Sequence, residues 1–399
     1  MKKVVAILVF FLLIMAGFGL EGCKRSSVKP SYSLIIVDVT KTDYPKKDLA
    51  LQDFMDVEYV ALETNDEFLN QGIILDIGKK FILVRNWVRD GNIFVYDRNG
   101  KAIRKINRRG QGGEEYTDVY RATLDESNDE IFVSDFGGSK ILVYDLNGNY
   151  KRSLKHKGGN RIGTNWYSEV FNYDKDNLIC YDEYNKDIAF VLISKQDGSI
   201  TKEIKIPFQK KIEVSSTKSG SETMVFKTGP GEFRHIIPYK GNWILLEVSS
   251  DTVYSLLPDY SLRPLIVRTP PVQSMNPEVV LIFGVMSDRY YFMETIKNEY
   301  NWDKNVGFPK TRMVYDKQEN SIFNYYVYNK GDYTDKVTVI EDMSVSKSGN
   351  NEIDSWQTLK TSQLVEEYKN GQLQGQLKEV AAGLKEDDNP VIMLFKYKK

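Results

Sequence analysis

The sequence predicts an all-β fold, a six-bladed β-propeller of four-stranded antiparallel blades, closed by strands from the two chain ends and carrying one helix near the C-terminus. Three observations lead there. The chain has 399 residues, more than one ordinary hydrophobic core organises, which favours a repeat or a closed ring. Aromatic residues make up 12%, with 25 Tyr and only 12 Pro, a composition that suits strands and argues against disorder. Finally, the chain repeats itself: IFVYDRNGKAIRKI begins at Ile93 and ILVYDLNGNYKRSL at Ile141, 141 − 93 = 48 residues apart.

Each copy reads as two strands around a polar turn. Asn99-Gly100 and Asn147-Gly148 are strong hairpin signals, because the two-residue turn they favour needs positive φ at both central positions. Looser copies follow at Ala189, Thr252 and Arg312. Two further strand-like runs precede each hairpin, for example RATLD and EIFVSD before Ile141. Four strands at intervals of roughly 40 to 60 residues are the pattern of a propeller blade. Five units are visible, and a sixth assembles from KVTVIEDM at Lys336, VIMLFKY at Val391 and VEYVAL at Val57. Sharing the last blade between the chain ends removes exposed strand edges. Leu373, Leu377, Val380, Ala381 and Leu384 recur at helical spacing, predicting a helix over 372–385 that packs on the closing strand 391–397.

The first residues give an address. Lys2 and Lys3 precede the uncharged run Val4–Leu20, too short for a membrane span, and the small-residue exit reads as an export signal. Leu20-Glu21-Gly22-Cys23 resembles a bacterial lipobox, although Glu21 departs from the usual small or apolar residue. Residues 1–22 are then a signal peptide, Cys23 the lipid-attachment site, 23–56 a tether with a first strand and 57–399 the propeller. Cys180 is the only other cysteine, so no intrachain disulfide forms in the mature chain, and it reads as a small core residue. Lys24-Arg25-Ser26-Ser27 lacks an acidic run, which points to an outer-membrane lipoprotein facing the periplasm.

The lipobox, VEYVALET at Val57, the RRGQGGEEY loop, IFVYDRNGK and the closing KEDDNPVIML together resemble the six-bladed β-propeller lipoproteins of Gram-negative anaerobes, a group similar to NHL-repeat propellers. The resemblance spans nearly the whole mature chain and implies the fold and an envelope location. It brings no catalytic residues to carry over.

RRGQGGEEYTDVY, Arg108 to Tyr120, is not a nucleotide loop: its glycines do not follow the dinucleotide spacing, no helix succeeds it, and no Gly-Lys-Ser/Thr occurs. It reads as a crossing between blades, with glycines at positive-φ turns and Arg108, Arg109, Glu114 and Glu115 free to pair across. The other reading is ligand contact at the channel rim through Arg109, Glu115 and Tyr116. FKTGPGEF at Phe226 looks like a weaker copy.

Charge is balanced, 54 basic against 55 acidic residues for a net −1, so no nucleic-acid footprint is present. With two histidines, His156 and His235, and one free thiol, a His/Cys zinc site lacks ligands. No cofactor is expected, although oxygen ligands near YDEYNKD at Tyr181 would suit calcium. His235, in EFRHIIP, reads as a channel-side or core histidine rather than a triad member. Turns on one edge of the blades are short and polar, whereas those on the other are long and aromatic: Trp87 and Arg89 in RNWVRDGN, Trp166 and Tyr167 in RIGTNWYS, Tyr300 and Trp302 in KNEYNWDKN. Rigid aromatics beside polar groups suit docking of a glycan, peptide or envelope protein. The sequence thus favours a membrane-anchored, non-enzymatic binding or scaffold propeller. A hydrolase or lyase with channel-mouth carboxylates is the alternative.

Overall fold

The computed structural model describes residues 34–88, 90–135, 137–155, 167–220, 224–335, 338–340, 343, 345–347, 350 and 352–398. From Ile35 onward the chain forms one compact unit, a six-bladed propeller of four-stranded antiparallel blades, the sixth showing three strands among the described residues. Blade one holds strands Ile73–Ile77, Phe81–Arg85, Asn92–Asp97 and Ala102–Asn107. Blade two runs from Arg121–Asp125 to Tyr150–Lys155 and blade three from Glu169–Asn172 to Ile200–Ile204, both as simple meanders. Buried residues of adjacent blades merge into shared clusters; Leu83 and Val95 of blade one, for instance, pack with Leu124 and Val133 of blade two.

The hairpin turns repeat in detail. The Asp97 carboxylate accepts the backbone N–H of Asn99 (2.8 Å) and Lys101 (2.9 Å), and Asp145 does the same for Asn147 and Asn149 (2.8 Å each). Only the glycines, Gly100 (φ 84°) and Gly148 (φ 81°), lie in the left-handed region, and the ladder shifts register beside each turn. These are turns with a glycine bulge rather than the two-residue turns expected from Asn-Gly, because the Asp side chain holds the Asn in an ordinary conformation. Each glycine also abuts the outer strand of the preceding blade: a Cβ would fall 2.0 Å from the Ala61 carbonyl at Gly100 and 2.8 Å from Ile106 at Gly148.

Blades four and five depart from the expected plan. Blade four, Ile236–Tyr239 to Leu262–Thr269, gains the N-terminal strand Ile35–Asp38 in parallel on its outer edge. Blade five, Val279–Met286 to Ser321–Tyr328, gains Lys46–Ala50 in the same way. The segment expected as a tether therefore covers the edges of two blades. Blade six is closed by Met55–Ala61 on the C-terminal strand Val391–Tyr397, whose other partner is Ile353–Leu359. That last strand was not expected. Of KVTVIEDM, Thr338–Ile340 pairs instead with blade five.

The helix expected over 372–385 is present but shorter, Gly375–Ala381, opened by Gly375 (φ 57°), and a second helix that was not expected, Thr361–Lys369, precedes it; between them lie Gly371 (φ 70°) and Leu373, which bridges to Tyr333. Leu373, Leu377, Val380, Ala381 and Leu384 pack against Met55, Val391, Met393 and Phe395 of the closing blade. Burial of that stripe, not local propensity, holds helices this short.

Candidate functional site

Successive turns of an antiparallel meander fall on alternate edges, so crossings between blades share an edge with each blade's middle turn. On that edge a cavity of about 650 Å³ opens where blades two, three and four meet. Its floor comes from the starts of inner strands: Arg121 opens blade two, Glu169 opens blade three, and His235 immediately precedes blade four. Its walls come from the middle turn of blade three, Tyr181 to Lys186, and from the long crossing to blade four, which folds its own hairpin, Ser216–Ser219 with Val225–Thr228. FKTGPGEF ends in this wall; Gly231 takes φ 98° and Phe233 faces the cavity.

Two linked polar groups fill the floor. Glu169, buried, accepts the N–H of His235 (2.8 Å) and Ile236 (3.0 Å), and its Oε1 lies 3.2 Å from His235 Nδ1. The imidazole lies flat on Tyr181, centroids 3.7 Å apart and planes 12° from parallel. The Tyr181 hydroxyl donates to Glu247 (3.1 Å), while Lys211 Nζ reaches both that hydroxyl (2.8 Å) and Glu247 (2.6 Å). Burial pushes the Glu169 carboxyl up, but the His235 hydrogen bond and the charges of His235, Arg234 and Arg121 outweigh it and leave it below the usual range. Glu247 is likewise lowered: burial opposes, and Lys211 prevails. Burial drives the Tyr181 phenol well above its ordinary value, with Glu247 reinforcing it. Both carboxylates are thus held toward their charged form by the cations beside them.

The cations are unevenly partnered. Lys211 is held by Glu247 and Lys227 by Glu213. Arg121 is half-buried and its Nε is enclosed with no hydrogen-bond acceptor. Arg234 extends down the channel across the Phe171 ring (5.2 Å) to the Lys347 carbonyl (3.3 Å). Burial lowers its guanidinium to about 10, and the like charge of Arg121 adds to the effect. The pocket thus pairs an under-satisfied guanidinium with a histidine–glutamate dyad.

The residues singled out in the sequence lie elsewhere. Tyr116 is fully buried; its hydroxyl donates to the Gly91 carbonyl (2.7 Å) and accepts Arg108 N–H (2.9 Å), so it plugs the seam between blades one and two and cannot touch a ligand. Tyr167 is also core, packed with Val170 and Cys180. Tyr300 and Trp302 pack edge to face at 5.0 Å, and the Trp302 indole donates to Ser216 (2.9 Å), tying the blade-five loop to the hairpin. Trp87 stands out at 71% exposure. Arg109 donates to the Thr117 carbonyl, and Glu115 accepts Gly112 N–H (2.8 Å) beside a separate depression of about 450 Å³. Gly110, Gly112 and Gly113 are not in the positive-φ region, and the Glu115 carboxylate lies over Gly110. Arg89, Trp166, His156 and Cys23 lie outside the described residues. Among the described residues no group of three His, Cys, Asp or Glu is placed to hold a metal, YDEYNKD included.

Fold and site together define a six-bladed propeller with a charged pocket on its crossing edge. Residues 26–355 match the family DUF5128, described as a 6-bladed beta-propeller, and the chain belongs to that family. Among solved structures it is similar to a candidate exported protein from Bacteroides fragilis NCTC 9343, at 17% identity and a TM-score of 0.58 over 92% of this chain and all of that one. It is also similar to a DUF4221 family member from Bacteroides vulgatus ATCC 8482, at 12% identity and a TM-score of 0.46 over 87% and 99% of the two chains. At these identities the likeness is one of fold. No curated protein matches the sequence.

Proposed function

We propose that this chain is an exported binding propeller, held at the envelope through lipid on Cys23, whose crossing-edge pocket captures an acidic glycan. The observation that carries the reading is Arg121, a half-buried guanidinium on the floor of a 650 Å³ cavity that makes no ion pair among the described residues and whose Nε is enclosed without an acceptor. A carboxylate or sulfate on the ligand pairs with the cavity-facing part of that guanidinium, not with the sealed Nε, and such charge-assisted contacts are the stronger class of hydrogen bond. Tyr120, Tyr184 and Phe233 border the same cavity and offer aromatic faces to a sugar ring. This reading puts the ligand in the pocket, whose charged floor sets selectivity, rather than on the loops of Trp87, Trp166 and Trp302. Export and anchoring rest on Lys2, Lys3, Val4–Leu20 and Cys23, and the exported description of the Bacteroides fragilis protein agrees with them.

Two measurements test this. In a Gram-negative host the wild-type chain is expected to take up labelled palmitate and sediment with membranes, and Cys23→Ser to do neither. For the soluble body, a thermal-shift screen against neutral, uronic-acid and sulfated oligosaccharides and against peptides should return stabilisation by the acidic sugars alone. Equal shifts with neutral sugars, or shifts with peptides only, would remove the role given to Arg121 or the glycan class.

A further inference from the structure

Binding an acidic glycan needs the cavity and Arg121; it does not need a buried glutamate aligning a histidine, nor a lysine set on a tyrosine hydroxyl. Resting on the reading of the pocket as an acidic-glycan site, we propose that it also cleaves uronic-acid glycans by β-elimination, with His235 as base, Lys211 as acid and Arg121 neutralising the uronate carboxylate.

The geometry supplies each role. Glu169 holds His235 through the backbone N–H at 2.8 Å and Nδ1 at 3.2 Å, so the neutral ring carries its proton on Nδ1 and presents Nε2 as the acceptor. Nε2 makes no hydrogen bond among the described residues, and the side chain retains 13% exposure on the cavity floor. Stacking on Tyr181 and contact with Phe233, 5.0 Å between centroids, fix the ring plane. Arg121 lines the same cavity as His235, and its positive charge acts on Glu169, the carboxylate that holds the imidazole. Lys211 Nζ, 4.8 Å from the centre of the Tyr181 ring on which His235 stacks and lining the same cavity, is the proton donor.

The chemistry balances without a metal, a nucleophile or an oxidant. Neutralisation of the uronate carboxylate by Arg121 acidifies the adjacent C–H. His235 Nε2 takes that proton, the electron pair forms the C=C bond, and the C–O bond on the β carbon breaks. The departing glycosidic oxygen takes a proton from the Lys211 ammonium, giving an alcohol end and an unsaturated uronate. His235 returns its proton to water and Lys211 regains one from it. Glu169 and Tyr181 are positioning residues: neither touches the substrate atoms.

The test uses the mature chain with oligosaccharides of polygalacturonate, alginate and hyaluronan. Product is read as the ultraviolet absorbance of the new conjugated double bond, and binding of the same probes by calorimetry. The expected result is double-bond formation on at least one probe. His235→Gln should lower kcat by roughly 100-fold or more while calorimetric affinity holds within a few-fold. Arg121→Ala should weaken binding and turnover together. Because Glu169 organises the floor, Glu169→Gln serves as the second variant, expected to reduce kcat in a chain that still folds cooperatively but melts lower, since its amide N–H₂ faces a backbone N–H. Binding without any double bond overturns elimination and leaves the binding reading standing; chain scission that yields saturated ends overturns it equally. No binding of any uronide overturns both.

Discussion

Asp354 offers a measurable test of how the channel is built. It lies in Ile353–Leu359 of blade six and is 1% exposed. Its Oδ1 accepts the Tyr397 hydroxyl at 2.7 Å, and its Oδ2 is enclosed with no partner. Burial pushes this carboxyl up to about 7, against the help of Tyr397. With the folded value above the unfolded one of about 3.9, the group's contribution to stability is full below pH ~4 and is lost as pH rises through about 7. At about 1.4 kcal/mol per pH unit, a rise of roughly three units removes about 4 kcal/mol by pH 8. Asp354→Asn abolishes that loss and keeps an oxygen for Tyr397, but leaves an enclosed amide N–H₂ that costs about 1–3 kcal/mol. The variant should therefore be less stable than wild type at pH 4 and more stable, by roughly 1–3 kcal/mol, at pH 8. Asp76, raised to about 6 by burial, tilts both proteins alike and cancels in the comparison. Urea unfolding at both pH values, with equal slopes confirmed, gives the two differences. A difference of the same sign at pH 4 and pH 8 would refute the burial argument.

Other predictions follow from the seams and the core. Gly148→Ala forces a side chain into φ 81° and against Ile106, so it should cost about 1–3 kcal/mol in denaturant titration. Tyr116→Phe strands the Gly91 carbonyl and should lower stability by about 1–3 kcal/mol, with glycan affinity in calorimetry unchanged. Lys195→Met leaves buried Asp125 without its 2.6 Å partner and should cost about 3–5 kcal/mol, read by the same titration.

What the sequence could show follows from what is local. A repeat of 48 residues and two Asn-Gly turns identify blades because strand, turn and strand are neighbours in the chain. Turn type was misread because it depends on the Asp97 and Asp145 side chains as well as on Asn-Gly. The parallel addition of Ile35–Asp38 to Leu262–Thr269 joins segments more than 200 residues apart, and no local pattern announces such a pairing. Leu373 keeps helical spacing with Leu377, yet Gly371 and Gly375 at positive φ hold Leu373 outside the helix, which begins at Gly375. In the site the difficulty is greater. Arg121, Glu169, Tyr181, Lys211, His235 and Glu247 are single residues scattered over five segments, and only ring closure brings them together. The one available sign was a charged or polar residue at, or just before, the first position of three successive inner strands. Tyr116 and Tyr167, in contrast, sit in polar loops that suggest exposure, while tertiary packing makes them plugs.

The account rests on Arg121 rather than an exposed aromatic as the selector of the ligand. Its most direct measurement is calorimetric affinity for an acidic oligosaccharide that stabilises the wild type, compared across wild type, Arg121→Ala and Trp87→Ala. The expected result is at least about a tenfold loss in Arg121→Ala, the equivalent of one charge-assisted contact of ~1.4 kcal/mol or more, with Trp87→Ala within twofold of wild type. Unchanged affinity in Arg121→Ala together with loss in Trp87→Ala would contradict the account and return the binding site to the outer aromatic loops.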